Sequence, residues 1–220
     1  MSEREPLIPP HGGYRKLKSF QVSQSIYDVT VRFCDLYIDK RSRTHDQMVQ
    51  AARSGTQNIV EGSEASGTSK KTELKLTGVA KASQEELRLD YQDYLRQRGL
   101  EEWPPNHPAL LRFKARRCAT LGEIQVWVKE ERKLALATGK SVKVRGRPCR
   151  SVQTEGNPPA SVPSSPQLVA NAALSLLNLS RNLLKNQLAA QAAAFEAEGG
   201  FTERLYRLRT QNRRPQGREK

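Results

Sequence analysis

The sequence predicts an all-α protein: an up-down-up-down, left-handed four-helix bundle, then a flexible linker and a C-terminal, hairpin-like helical suffix. Three observations support this prediction. Apolar residues recur at steps of three and four along much of the chain, no stretch shows period-two alternation between hairpin turns, and aromatic residues make up only 6% of the 220 residues. Long sequential helices joined by short turns pack most simply as antiparallel neighbours.

The first two helices are predicted at about 17–39 and 44–63, after a flexible N-terminal arm at 1–16. The first carries an apolar stripe of Val22, Ile26, Val29, Phe33 and Leu36. The stripe of the second contains smaller residues and consists of Met48, Ala52, Gly55 and Ile59. A neighbouring helix is therefore expected to press closely against Ala52 and Gly55. Thr44 and Gln47 fit a capping box at the start of this helix.

The third and fourth helices are predicted at about 69–98 and 107–138, which completes a four-helix bundle domain at 17–138. Pro108 suits the first turn of the fourth helix. The buried face of that helix is expected to carry Leu111, Ala115, Cys118, Leu121, Ile124 and Val128.

A basic, Pro/Gly-rich linker is predicted at 139–165, because residues 139–166 hold five prolines, three glycines and few large apolar side chains. A helical suffix domain follows at 166–214, with a basic tail at 215–220. Ser165 suits the N-cap of its first helix, and Gly199-Gly200 separates that helix from a second, shorter one. The apolar stripe of the first suffix helix is predicted to be Leu168, Ala172, Leu176, Leu179 and Leu183.

The chain is strongly basic, with 37 Lys and Arg residues against 23 Asp and Glu residues and a net charge of +14. Such an excess favours polyanion binding, with acidic protein partners or simple solubility as the alternatives. No secretory signal and no apolar run near ~20 residues is present, which predicts a cytoplasmic protein without membrane contact. Cys34, Cys118 and Cys149 lack metal-site spacing and are expected to be reduced thiols.

The second and third predicted helices carry a family resemblance. Gln47, Ala51, Ala52, Ser54 and the run Asn58-Ile59-Val60-Glu61-Gly62 resemble the signature of the 23S rRNA intervening-sequence proteins, also called four helix bundle proteins. The pattern continues with Ser69, Glu73, Leu76, Ala80, Ser83, Glu85 and Leu87, and the resemblance covers about residues 14–138. Gln50 and Gly55 depart from it, since the family usually has arginine and isoleucine or valine there. The C-terminal part resembles the four helix bundle suffix domain.

The resemblance implies a small helical bundle encoded in or near mobile or repeated nucleic-acid elements. The chain is also similar to the accessory variability protein of diversity-generating retroelements. That relative looks like a pentameric barrel, which engages a reverse transcriptase and nucleic acid. RNA or DNA, a reverse transcriptase or another nucleic-acid enzyme, and further copies of the chain in a pentamer are the partners implied. The motif residues are expected to be structural, with Asn58 and Glu61 either capping the bundle or contacting a partner.

The candidate phosphate contacts form three basic groups, because the arginine fork matches phosphate oxygens. They are Arg112, Lys114, Arg116 and Arg117 on the fourth helix, Lys143, Arg145, Arg147 and Arg150 in the linker, and Arg204, Arg207, Arg209, Arg213 and Arg214 in the C-terminal region. The run 145–148 also resembles an AT-hook core, although generic phosphate contact from a basic linker is an alternative. A merely solvated surface is the other interpretation.

No catalytic or cofactor motif is present. The sequence lacks the Glu-x-x-His pairs of di-iron bundles, a phosphate-binding loop, a nucleophile elbow and a zinc motif. The sequence therefore predicts no cofactor, no metal site and no enzymatic activity. Together with the basic groups, the family resemblance implies an oligomeric nucleic-acid-binding adaptor that holds RNA or DNA for a partner protein. The alternative is a structural protein-interaction module whose suffix helix docks on a partner and which has no nucleic-acid role.

Overall fold

The computed structural model describes residues 6–140 and 162–213, and in these ranges the chain forms helices and their connections, with no strand. The all-α prediction is confirmed. The helices are α1 (Lys18–Tyr37), α2 (Arg43–Ala65), α3 (Lys70–Gln97), α4 (Pro108–Arg116), α5 (Leu121–Lys140), α6 (Ser165–Glu198) and α7 (Phe201–Arg213), with a short 3-10 helix at Tyr14–Lys16. None of the helices in the described ranges combines the length and the apolar character needed to cross a bilayer.

The first three predicted helices correspond to α1, α2 and α3, and each boundary agrees within two residues. The cap of α2 is one correction. The Ser42 side chain accepts a hydrogen bond from the backbone N–H of Thr44 at 3.3 Å, so Ser42 is the N-cap and Thr44 lies inside the helix. A serine hydroxyl at this position satisfies one of the free N–H groups of the first turn.

The predicted fourth helix at 107–138 is two helices, α4 and α5. Arg117 ends α4 in a left-handed conformation with φ of 52°. A capping box then starts α5: the Glu123 carboxylate accepts from the N–H groups of Ala119 and Thr120 at 2.7 and 3.3 Å, and Glu123 N–H donates to the Thr120 hydroxyl at 3.3 Å. These local hydrogen bonds favour a new helix start over continuation of α4.

The break also corrects the predicted buried face. Leu111 is 52% exposed and Ala115 is exposed, whereas Leu110 and Phe113 of α4 are buried. In α5, Ile124 and Val128 are buried as predicted. A single helical register cannot run through a left-handed residue, so a stripe extrapolated across Arg117 selects the wrong side of α4.

The chain divides into two compact units, with boundaries inside α3 and inside α6. Unit 1 runs up to Asp90 and resumes at Leu176, and unit 2 is Tyr91–Ser175. This division differs from the predicted bundle at 17–138 and suffix at 166–214. The second half of α6 belongs with α1 and α2 in unit 1, whereas α4 and α5 belong to unit 2.

Unit 1 has a core to which four helices contribute. Ile59 of α2, Ala80 of α3 and Leu184 of α6 are almost fully buried in one cluster, and Phe20 of α1 packs against it together with Leu17. Burial of each of these apolar side chains away from water stabilises the folded unit. The predicted suffix helix is thus, over its second half, a core element of unit 1.

Small residues on α2 bring α3 close, as predicted for Gly55. A Cβ added at Gly55 would meet Gln84 Cγ at 3.0 Å, and one added at Gly62 would meet the Glu73 carbonyl oxygen at 3.4 Å. Gly55 and Gly62 are seven residues apart and therefore lie on the same face of α2. Their missing side chains permit the close approach of α3.

A buried network of polar side chains holds α6 in register. Gln84 Nε2 donates to the Ser23 hydroxyl at 2.6 Å, and that hydroxyl lies 3.2 Å from the Ser180 hydroxyl. Further along α6, the Ser19 hydroxyl donates to Gln187 Oε1 at 2.6 Å. Sliding α6 along α1 would separate these pairs and leave buried polar groups unpaired, which is costly.

Unit 2 contains a buried asparagine that binds the loop after α3. Asn171 of α6 accepts a hydrogen bond from the backbone N–H of Trp103 at 2.7 Å, and its Nδ2 donates to the Glu101 carbonyl at 3.0 Å. Trp103 stacks on His107 at 4.2 Å between ring centroids, and Phe113 lies 4.8 Å from Trp127. The loop backbone is thus fixed by a side chain from α6.

The predicted flexible arm at 1–16 is described from residue 6. Gly12 N–H donates to the Ser63 carbonyl at 3.1 Å, and Tyr14 meets Phe20 edge-on at 4.9 Å between ring centroids. The described part of the arm therefore contacts α1 and α2.

Glu85 links α3 to α6 and gives unit 1 an acid-sensitive contact. Its carboxylate accepts a hydrogen bond from Arg88 Nε at 3.1 Å and forms an ion pair with Arg181, whose Nε lies 2.8 Å away. The hydrogen bond from Arg88 lowers the pKa of Glu85 below its usual value of 4.5, and the charge of Arg181 adds to this effect against the opposing effect of burial. A depressed folded-state pKa means that the stabilisation is present above the unfolded pKa and is lost as pH falls through the folded one.

We expect Glu85→Gln to destabilise the protein at pH 7, with a difference from wild type that disappears as pH falls below about 4.5. Urea unfolding followed by circular dichroism at pH 7, 5 and 3.5 measures this difference. Glu86→Gln, an exposed neighbour on the same helix, is the control. A Glu85→Gln difference that stays constant down to pH 3.5 would contradict the assignment.

Candidate nucleic-acid interface

The basic group predicted on the fourth helix lies largely on α4, and two of its arginines form ion pairs with α5. Arg112 makes a two-pronged contact with Glu131, with Nε and Nη2 each 2.7 Å from a carboxylate oxygen. Glu131 is buried, and this hydrogen bond raises the pKa of Arg112 above its ordinary value. Arg116 pairs in the same way with Glu130 and lowers the pKa of that carboxyl.

The other two members of this group, Lys114 and Arg117, differ from Arg112 and Arg116 in their contacts. Lys114 Nζ donates to the Pro105 carbonyl at 2.7 Å. Arg117 is exposed, and no ion pair or side-chain hydrogen bond of Arg117 occurs within residues 6–140 and 162–213. A phosphate approaching Arg112 or Arg116 would have to displace a carboxylate that already fills the arginine fork. The α4 group therefore offers less free positive charge than its sequence indicates.

The linker group, Lys143, Arg145, Arg147 and Arg150, lies outside the described residues, as does the AT-hook-like run at 145–148. Arg214 also lies outside them, and Arg213 is the last residue of α7. The phosphate-contact hypothesis for these positions stays a prediction.

α7 carries the third basic group, and local contacts define where the helix begins. Gly199 leaves α6 with φ of +72°, a left-handed conformation that glycine adopts without strain. The Glu203 carboxylate then accepts the N–H of Gly200 at 2.9 Å. An acid in the first turn that caps a free N–H group stabilises the helix start.

The sides of α7 differ in burial. Phe201, Leu205 and Leu208 are half-buried and form its apolar side, whereas Arg207 and Arg209 are exposed. Arg207 also donates to the Glu198 carbonyl at 3.3 Å. Two predicted arginines of α7 are thus presented to solvent, and neither forms an ion pair with a carboxylate of the described residues.

Arg204 is on a different side of α7. It is half-buried and lines a polar cavity of about 140 Å³ together with Lys70, the turn between α2 and α3, and Gly199-Gly200. Lys70 Nζ lies 3.4 Å from the Glu73 carboxylate, and Glu198 also lines the cavity. Positive and negative groups therefore share this cavity.

Sequence reasoning missed Tyr206. Its side chain is 75% exposed, the highest value among the large hydrophobic residues found exposed in the described chain. The signal was present, because Tyr206 is out of phase with the apolar stripe of Phe201, Leu205 and Leu208 and is surrounded by arginines in the sequence.

The family-motif residues have mainly local, structural contacts. Ala51, Ala52, Ile59 and Gly62 are buried, whereas Gln47 and Glu61 are exposed. Ser54 and Ser83 pair through their hydroxyls at 3.0 Å, which joins α2 to α3. Asn58 Nδ2 donates to the Ser54 carbonyl at 2.8 Å, so its contact lies within α2 and does not cap a helix end.

The titratable groups that could support chemistry are dispersed. Within the described ranges, no cluster of three or more His, Cys, Asp and Glu side chains could hold a metal ion. Cys34 and Cys118 are free thiols, and burial, followed by the charges of Asp35 and Asp90, raises the pKa of Cys34 to about 12. A thiol with that pKa stays protonated at neutral pH and is a poor nucleophile.

The fold defines the protein as all-helical in its described parts, with exposed arginines on a terminal helix. Comparison with protein-family models, curated proteins and solved structures gives no match to this chain.

Proposed function

We propose that this protein is a non-enzymatic nucleic-acid-binding adaptor that holds RNA or DNA for a partner protein. The observation that carries the proposal is the exposed basic side of α7, where Arg207 and Arg209 face solvent while the α4 arginines Arg112 and Arg116 are matched with carboxylates. Exposed arginines in a chain of net charge +14 favour phosphate contact and release of counterions.

Membership in the 23S rRNA intervening-sequence family is part of the proposal and rests on the resemblance of the motif residues. So do assembly into a pentamer and a reverse transcriptase or similar enzyme as partner. The four-helix bundle is proposed for unit 1, with α1, α2, the first part of α3 and the second part of α6 as its helices. The shared cluster of Ile59, Ala80 and Leu184 supports that arrangement.

The alternative, a protein-interaction module, depended on an α6 stripe free to dock on a partner. Leu168, Ala172 and Leu176 of that stripe are buried within the chain, and so is Leu184 beyond it. This burial leaves less apolar surface on α6 for a partner. The burial of the α6 stripe therefore favours the adaptor over the protein-interaction module.

We expect the full-length protein to bind single-stranded DNA or RNA with an affinity that falls steeply with salt. Arg207→Gln/Arg209→Gln should weaken this binding and reduce the slope of log K against log salt by about 1.4, since each single-strand phosphate contact contributes roughly 0.7. Fluorescence anisotropy with labelled single-stranded RNA, single-stranded DNA and duplex DNA, each at several salt concentrations, measures both quantities.

The control is Arg32→Gln/Arg53→Gln, which removes the same charge from exposed positions on α1 and α2. Equal losses in the two double variants would show that binding follows net charge and not α7. No binding to any of the three nucleic acids at low salt would contradict the adaptor function and favour the interaction module.

A further inference from the structure

The most exposed large hydrophobic side chain among the described residues is Tyr206, at 75%. Exposing an aromatic ring to water forgoes the free energy that burial would supply, and α7 has an apolar side where a ring could pack. Tyr206 points away from that side. Packing within the fold therefore does not account for the position of the ring, which is accessible to a ligand.

The surroundings of Tyr206 follow from helical geometry. Thr202 and Glu203 lie four and three residues before Tyr206, and Arg209 and Thr210 lie three and four after it, so they share its face of α7, and all four are exposed. The Thr210 hydroxyl donates to the Tyr206 carbonyl at 2.9 Å, a hydrogen bond between successive turns of α7. Arg207 lies at the side of this face and is also exposed.

Glu203 is the one acidic residue of α7 and lies at the N-terminal end of this face, where its carboxylate makes a hydrogen bond to the backbone. It accepts the N–H of Gly200 at the start of α7. A carboxylate held at a helix start by a backbone hydrogen bond interacts with the positive end of the helix dipole. The face formed by Tyr206, Arg207 and Arg209 is therefore aromatic and cationic, and the one carboxylate that borders it within α7 is held at the helix start by its hydrogen bond to Gly200.

We propose that the α7 face of Tyr206, Arg207 and Arg209 binds single-stranded nucleic acid, with a base stacked on the Tyr206 ring and neighbouring phosphates held by the two arginines. This inference rests on the proposed function and names its ligand and contact residue. A single strand is the ligand that fits, because its bases are free to stack, whereas a duplex presents phosphates and keeps its base faces covered. Charge complementarity argues for a polyanion, and the aromatic ring argues for one with bases.

The test compares the full-length protein with Tyr206→Ala and Tyr206→Phe on three probes: a single-stranded oligothymidine, a duplex of the same length, and heparin as a polyanion without bases. We expect Tyr206→Ala to bind oligothymidine about tenfold more weakly, Tyr206→Phe to bind as wild type, and heparin binding to stay unchanged in both variants. The retained phenyl ring can still stack, so recovery by phenylalanine distinguishes stacking from loss of a hydroxyl contact.

Oligothymidine binding that is the same in Tyr206→Ala and wild type would overturn the stacking contact while leaving the adaptor function in place. Equal losses for oligothymidine and heparin would also overturn it, because they would mean that the change altered α7 as a whole. Wild type that binds heparin but neither oligonucleotide would overturn both the stacking contact and the adaptor function.

Discussion

Leu184→Ala is expected to lower the free energy of unfolding by about 2–5 kcal/mol, the range found when a fully buried leucine is truncated. Leu184 is 0% exposed and packs with Ile59 and Ala80 in the core of unit 1. The change removes apolar area from that core and leaves a cavity between elements that are fixed by the Ser23 and Gln84 hydrogen bonds. Those bonds limit how far the helices can move inward to fill it.

Leu179→Ala is the matched control, since it makes the same substitution on the same helix. Leu179 is 48% exposed, and its truncation is expected to cost about 0.5 kcal/mol or less. Urea unfolding followed by circular dichroism at 222 nm compares the two variants. Similar stabilities for Leu184→Ala and Leu179→Ala would mean that α6 does not contribute to the core of unit 1.

Asn171→Ala is expected to destabilise unit 2 by about 1–3 kcal/mol, because it leaves the buried Trp103 N–H without its acceptor and removes one of the two donors to the Glu101 carbonyl. The Trp103 N–H loses its acceptor at 2.7 Å, whereas the Glu101 carbonyl loses the Asn171 donor at 3.0 Å and keeps Gln167 Nε2 at 3.3 Å. Asn171 is 1% exposed and Trp103 is also buried, so the substitution leaves the Trp103 N–H unpaired inside the folded chain. The protein's two tryptophans, Trp103 and Trp127, both lie in unit 2, so tryptophan fluorescence during urea unfolding reports on this unit.

Asn178→Ala provides the comparison, because Asn178 is exposed on the same helix. Its replacement should change the midpoint of the fluorescence transition very little, while Asn171→Ala shifts it to lower urea concentration. Equal midpoints for the two alanine variants would contradict the role assigned to Asn171.

The candidate site could be predicted from the sequence only in part. The basic groups are visible as clusters of Arg and Lys, and the start of α7 follows from Gly199-Gly200. The pairing of Arg112 with Glu131 is not visible, because the two residues lie on different helices and meet only when α4 and α5 fold together. The exposure of Tyr206 depends on which side of α7 is covered, and periodicity indicates that side only indirectly.

The sequence by itself determined the helical class, the bounds of α1, α2 and α3, and the close contact at Gly55, because these depend on local periodicity and side-chain size. The break at Arg117 was also encoded locally, in the Thr120 to Glu123 capping box, and a stripe drawn across it concealed that signal.

Only the tertiary structure decided that the second half of α6 joins unit 1 and which of its residues are buried. The predicted stripe included Leu179, whereas the buried positions include Ser180 and Leu184. Hydrophobicity alone favours leucine over serine at a buried position. The Ser180 hydroxyl lies against Ser23, and this polar contact with α1, 157 residues away in the chain, sets the rotation of α6. Contacts between residues so distant in sequence leave no periodic signal in either helix, because each pairing depends on the partner that folding brings to it.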